Sequence, residues 1–164
     1  MTKPDELSKA KSLAFYYLGR KAYTQKELGE KLQKRFSPSL VKEVLDYLLD
    51  LGYLNDQKYT VTYLENKKRA RRGPRKIIMD LKKRGVSKEN LEQVKELYSS
   101  EEEEEIARQL AREKASSGKT AEQIYRFLLG RGFSLSTAGK IAGQYIDRRN
   151  NYAGSSHYRN GDSF

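Results

Sequence analysis

The apolar positions of this chain fall at helical spacing, and the spacing recurs about every 48 residues. Leu32, Leu81 and Leu128 anchor the pattern. Each has an aliphatic residue four positions earlier (Leu28, Ile77, Ile124) and a base three positions later (Arg35, Arg84, Arg131). A serine follows shortly in each case: Ser37, Ser87, Ser134. Four, seven and eleven residues beyond those serines stand Val41, Val44, Leu48; then Leu91, Val94, Tyr98; then Ala138, Ile141, Tyr145. Apolar residues at that spacing line one face of a helix. A fixed period of this length marks a tandem array of one supersecondary unit, with neighbouring units leaning on each other.

The flanking residues predict where each helix starts and stops. Residues 1–6 read as a frayed start, followed by a helix from Leu7 to Arg20 with Ala10, Leu13, Ala14, Tyr17 and Leu18 on one face. Thr24 and Glu27 stand at capping-box spacing and open a second helix that ends near Arg35. Ser37-Pro38 opens a third, serine as cap and proline in the first turn, running to Leu51 and stopping at Gly52. In the second unit Asp56 caps a helix to about Arg71, with Tyr59, Tyr63 and Val61 facing inward. Gly73-Pro74 starts the next, which ends at Gly85, and Ser87 starts another that ends near Tyr98. The third unit begins in the acidic run Glu101 to Glu105, with Ile106, Leu110 and Ala111 as its buried stripe. Thr120 and Gln123 repeat the capping box, Gly132 ends that helix, and Ser134 caps a last one reaching about Arg149.

No segment alternates with period two, so the expected fold is all-α: three tandem three-helix, helix-turn-helix-like repeats in an elongated, curved array. The expected boundaries are 1–54, 55–99 and 100–149, with residues 150–164, rich in Asn, Gly, Ser and Tyr, as a disordered tail. Units of this size are near the lower limit for an independent core.

Charge changes the picture more than composition does. The chain carries a net charge of +11, which favours polyanions or acidic protein surfaces. Residues 57–90 hold twelve Lys/Arg against Glu65, Asp80 and Glu89, so the middle unit carries most of the excess. Cysteine is absent, which excludes disulfides and thiolate metal sites and fits a reducing cytoplasm. His157 is the only histidine. The N-terminus has no apolar run, so neither a secretory leader nor a membrane span is expected. No phosphate-binding glycine loop, metal-ligand cluster or nucleophile–base pair is visible, and no enzyme activity, cofactor, metal or small-molecule substrate is expected.

The densest feature is Lys67, Lys68, Arg69, Arg71, Arg72, Arg75 and Lys76, seven bases in ten residues, extended by Lys82, Lys83 and Arg84. Such residues neutralise phosphates and release counterions, and the amides following Gly73 offer a further anion site at a helix start. The alternative is a solvated cationic surface, but its bases would repel one another and no nearby acid is expected to relieve this. Arg35, Arg131, Arg148 and Arg149 are secondary basic contacts. The glutamate run is explained by a helix start and a solvated linker, with folding back onto the basic unit as the other reading. Tyrosines can stack on bases. Tyr59, Tyr63, Tyr98 and Tyr145 fall on core stripes, whereas Tyr16, Tyr23, Tyr53 and Tyr125 are open to either role. The turns Arg84-Gly85-Val86-Ser87 and Arg131-Gly132-Phe133-Ser134 suit a helix-turn-helix. Yet the helices after them lack the Arg/Asn/Gln cluster that reads base edges.

Gly52-Tyr53-Leu54-Asn55-Asp56, the aromatics Tyr59 and Tyr63, the basic stretch, Gly73, Ile77, Leu81 and Lys83-Arg84-Gly85-Val86 together resemble the RecX family. Ala14, Leu18, Thr24, Glu27 and Leu28 resemble that family's first unit. The resemblance covers about residues 10–147, with Thr60 and Lys68 as departures from the usual alanine and arginine. It implies tandem three-helix repeats in a cytoplasmic bacterial protein that binds the RecA recombinase. It further implies binding in the groove of the RecA–single-stranded-DNA filament and modulation, usually inhibition, of its ATPase and strand exchange. Direct contact with single- or double-stranded DNA is compatible with the charge. The competing expectation is a stand-alone helical nucleic-acid-binding protein with no recombinase partner.

Overall fold

The structure, a computed structural model, describes residues 3–146. Arg148, Arg149 and the tail expected over 150–164 lie outside the described residues. Helices follow one another as α1 (Lys3–Leu18), α2 (Gln25–Leu32), α3 (Pro38–Asp50), α4 (Asp56–Arg69), α5 (Pro74–Lys83), α6 (Lys88–Leu97), α7 (Ser100–Ser116), α8 (Ala121–Arg131) and α9 (Leu135–Gly143). The described residues contain no strand, and the fold is all-α as the periodicity predicts.

Each run of three consecutive helices closes around its own apolar cluster. α1–α3 bury Ala10, Ala14, Leu28, Leu32, Val41, Val44 and Leu48. α4–α6 bury Leu64, Ile77, Leu81, Val86, Val94 and Tyr98. α7–α9 bury Leu110, Ile124, Leu128, Phe133, Ala138 and Ile141, among others. The recurring leucines and the aliphatics before them are thus the centres of these cores. Of the serine-phased stripes, only Leu91 and Tyr145 stop short of full burial. Ile106, on α7, packs against both the second and third clusters and ties them together.

The helix starts are set by side-chain caps. Thr24, Ser37, Ser87, Thr120 and Ser134 each accept a backbone N–H in the first turn, with full capping boxes at Thr24–Glu27 and Thr120–Gln123. Four expectations are corrected. α1 begins at Lys3 rather than Leu7, because Asp5 and Glu6 in its first turn suit the positive helix end. Asn55, not Asp56, caps α4. On α4, Tyr59 and Tyr63 do pack against the second core but are only half-buried, Val61 is not among the residues packed there, and the fully buried positions are Thr60 and Leu64. α9 stops at Gly143, short of Arg149, since glycine weakens a helix.

The middle helices of the three bundles, α2, α5 and α8, meet end to end. The carbonyl end of α5 abuts the amide end of α2, where the Thr24 hydroxyl donates to the Arg84 carbonyl at 2.6 Å. The carbonyl end of α8 abuts the amide end of α5, where Gly73 N–H donates to Arg131 O at 2.9 Å and Arg75 N–H to Gly132 O at 3.0 Å. Opposite helix poles attract, and each contact also satisfies backbone groups left over at a helix end. Contact this close needs glycine. A Cβ on Gly132, which sits at φ +92°, would lie 2.3 Å from Lys76 Cβ. A Cβ on Gly85 would lie 2.4 Å from the Lys26 side chain. The first bundle is one residue shorter at the equivalent turn, Arg35-Phe36-Ser37, and has no such glycine. Its Arg35 is exposed.

Candidate functional site

The basic run Lys67–Lys76 is divided by the way α4 ends. Arg71 N–H donates to Lys68 O and Arg72 N–H to Lys67 O, the paired reverse bonds of a Schellman cap. The residue at the left-handed position of that cap is Arg71, at φ +53°. The turn divides the bases. Lys68 and Arg71 pair with carboxylates of α7, whereas among the described residues Arg69, Arg72 and Arg75 form no ion pair with it.

Lys68 is nearly covered, its side chain 14% exposed. It pairs with Glu102 at 3.0 Å and with Glu65 at 3.7 Å, donates to Leu97 O, and sits over the Tyr98 ring. Arg71 pairs with Glu113 at 2.5 Å. Arg131 reaches back from α8 and donates to the carbonyls of Ala70 and Arg71, the latter at 2.9 Å. Tyr98 donates its hydroxyl to Arg72 O at 3.0 Å. Burial, then the nearby Glu103 and Glu102 carboxylates, push that phenol well up, so it stays a donor. These contacts form the joint between the second and third bundles. The reading that no acid relieves the basic run is therefore corrected, as is the reading of the glutamates as solvated linker. Glu102 folds onto the run, Glu104 pairs with Lys140 at 2.7 Å, and buried Glu103 accepts from Ser134 N–H at 2.6 Å. The anion site expected at the amides after Gly73 is also corrected, because α8 occupies them.

Arg84 is likewise drawn into a joint. It pairs with Glu27 at 2.7 Å, donates to the Tyr59 hydroxyl at 3.1 Å, and lies 5.1 Å from the Tyr63 ring centre. Burial works against its proton, but Tyr59, Glu27 and Tyr63 together more than offset this and hold it more firmly than usual. Asp56 accepts from Gln25 N–H at 2.9 Å, so its carboxylate caps α2 across the joint rather than its own helix. Tyr59 and Tyr63 stack with centroids 6.1 Å apart, and Tyr63 donates to Asp80 at 3.4 Å. Leu54 is buried in the first core, whereas neighbouring Tyr53 is exposed.

The remaining bases form a surface. Arg75, Lys82 and Lys83 occupy the outer side of α5, at i, i+7 and i+8, around exposed Met79 and opposite buried Ile77 and Leu81. Arg69 is exposed at the end of α4, and Arg72 and Lys76 are half-buried beside the end of α8, Arg72 near Arg131 and the Lys76 backbone against Gly132. Those six, and exposed Arg35, form no ion pair among the described residues. Lys67 lies 5.1 Å from the Tyr63 ring centre. Arg71, Arg72 and Arg131 come close enough that, after burial, the two neighbouring charges lower the Arg131 proton affinity.

Of the acids that meet the basic unit, Glu102 lies in the run for which folding back was one reading, whereas Glu113 carries no sequence signal, nor does the role of Glu103 at the start of α9. For Glu102 one signal was present, since Ser99 and Glu102 stand at capping-box spacing and place the glutamates on a helix start. Among the described residues no helix is long and apolar enough to cross a membrane.

Comparison with known proteins agrees with this architecture. The family model for the first three-helix domain of RecX matches residues 10–48, and that for the second matches 55–94. The chain is 34% identical over 137 residues to the regulatory protein RecX of Caldanaerobacter subterraneus subsp. tengcongensis, covering 82% of this chain and 70% of the relative. It is 32% identical to the regulatory protein RecX of Leuconostoc mesenteroides, spanning 87% of this chain but 56% of that longer relative. The crystal structure of RecX from Lactobacillus salivarius superposes with a TM-score of 0.78 at 27% identity, covering 87% of this chain and 97% of that one. With matched models over both leading bundles and relatives alike over most of its length, this chain belongs to the RecX family of regulatory proteins.

Proposed function

We propose that this protein is a non-enzymatic regulator that binds the RecA recombinase in its single-stranded-DNA filament and inhibits the filament's ATPase and strand exchange. The supporting observation is the row of cations left over once the joints are made: Arg69, Arg72, Arg75, Lys76, Lys82 and Lys83. Charges that could be neutralised internally are, as at Lys68, Arg71 and Arg84. Those that are not lie on adjoining parts of α4 and α5, where a phosphate backbone or an acidic protein surface reaches several at once. Lys68, Arg71, Arg84 and Arg131 act through the joints, by holding that surface in place. Arg35 lies apart, at the outer turn of the first bundle, as a secondary contact.

The test is RecA ATPase on single-stranded DNA. The expected result is inhibition by the intact protein at concentrations far below those that coat the DNA, and weaker inhibition by Arg72→Glu/Arg75→Glu with helicity unchanged. Undiminished inhibition by that variant rejects the surface. Inhibition only at coating concentrations would favour the stand-alone nucleic-acid-binding reading, to which the same cations also lend support.

A further inference from the structure

A groove of about 570 Å³ lies between the first and second bundles, away from the basic face of α5. Its walls are Leu18, Ala22 and Tyr23 on one side and α4 on the other, with Gly52 and Tyr53 at its mouth. The joint at Thr24 and Arg84 creates it, by fixing the start of α2 against the end of α5 and leaving the flank of α4 uncovered.

Three properties of the groove point to one occupant. First, its aromatic rings are held in place before anything binds. Tyr53 is 59% exposed, yet Phe15 meets it edge-on with centroids 4.9 Å apart. Tyr59 is fixed by Arg84, and Tyr63 by Asp80. Second, no carboxylate lines it. Lys58 is in its wall, Lys67 lies over Tyr63, and Lys21 lies 4.5 Å from the Tyr23 ring centre. Third, the polar wall is directional. Lys58, Thr62 and Asn66 follow one another at i, i+4 and i+8 on α4, and Arg69, three residues further, continues the line to the cationic surface. A ligand that fits is flat, accepts amide and hydroxyl hydrogen bonds at its edge, and is attached to a run of negative charge.

We propose that this groove seats an unpaired nucleobase of single-stranded DNA, stacked on Tyr53, with the attached phosphates running along Lys58, Thr62, Asn66 and Arg69. Stacking on a fixed aromatic is sequence-tolerant, because every base has a π-face. The inference rests on the DNA-facing reading above but adds a contact to bases, which that reading does not require.

The experiment compares an oligothymidylate with an abasic oligomer of the same length, binding measured by fluorescence anisotropy with the full chain. The intact protein is expected to prefer the base-bearing strand by roughly tenfold. Tyr53→Ala should abolish that preference and leave affinity for the abasic strand and the salt slope unchanged. Tyr53→Phe, which keeps the ring, should retain it. Arg72→Glu/Arg75→Glu should weaken both strands equally, so failure of the cationic surface and failure of the groove give different patterns. Equal binding of the two strands by the intact protein overturns the proposal. So does a Tyr53→Ala variant that keeps the preference. Loss by Tyr53→Ala of RecA binding without DNA, with base preference intact, would make the groove a protein contact and overturn it as well.

Discussion

Two glycines of this chain illustrate how differently one residue type is used. Gly73 has an ordinary φ of −74°, but a Cβ there would lie 2.2 Å from the backbone of Gly132 and Phe133. Gly130 is inside α8 with nothing within 4 Å of where its Cβ would be. Gly73→Ala should therefore destabilise by about 1–3 kcal/mol, because backbone must move. Gly130→Ala should stabilise by about 0.5–1 kcal/mol, since alanine suits a helix interior better. Urea denaturation of the two variants checks both signs. Asp56 is a second residue whose role depends on a distant partner. Burial raises its carboxyl, the Gln25 amide works against that, and Glu27 adds to it. A carboxyl raised in the folded state holds its proton more firmly there than in the unfolded chain. Its ionisation thus costs stability as pH climbs through its range, and acidification relieves that cost. Asp56→Asn keeps an oxygen for Gln25 and removes the charge. Its stability relative to the parent should be more favourable near pH 7 than near pH 4, measured by denaturation at each. Asp56→Ala should lose the cap, at about 1 kcal/mol.

Among the elements, the helix ends decide how the bundles form and join. The caps at Thr24, Ser37, Ser87, Thr120 and Ser134 were legible from spacing, because a cap acts within three residues of itself. The start of α9 shows the limit. Ser134 caps Thr137, but the Ser134 amide itself is satisfied by Glu103, which is 31 positions away and buried. Glu103→Ala should leave that amide unpaired and cost about 2 kcal/mol, while Glu101→Ala, exposed in the same run, should cost about 0 kcal/mol. Thermal unfolding of the pair tests this. If both glutamates are equally dispensable, the run is a solvated helix start and Glu103 is not a clasp between α7 and α9.

For the whole molecule, the question is which cations hold the bundles together and which remain for a partner. Lys68→Glu/Arg71→Glu would set new carboxylates against Glu102 and Glu113 and should lower the melting temperature. Arg72→Glu/Arg75→Glu should leave it unchanged. The latter pair should instead flatten the salt dependence of single-stranded DNA binding, by about 1.4 in the log–log slope if both residues meet phosphate. A melting temperature that falls equally in both variants would mean the surface and the joint are one structure. Much of this molecule was written in its sequence: the all-α class, the recurring buried leucines, most helix starts and the excess charge of the middle bundle. These depend on local spacing and composition, which a linear reading contains. Only the tertiary structure decided that α8 fills the amides after Gly73, that Lys68, Arg71, Arg84 and Arg131 serve as joints, and that Glu102 folds onto the basic run while Glu103 and Glu104 hold α9. Each of those outcomes pairs groups about 30 to 60 positions apart. Electrostatic pairing depends on distance in space, and that distance is set only when helices meet end to end.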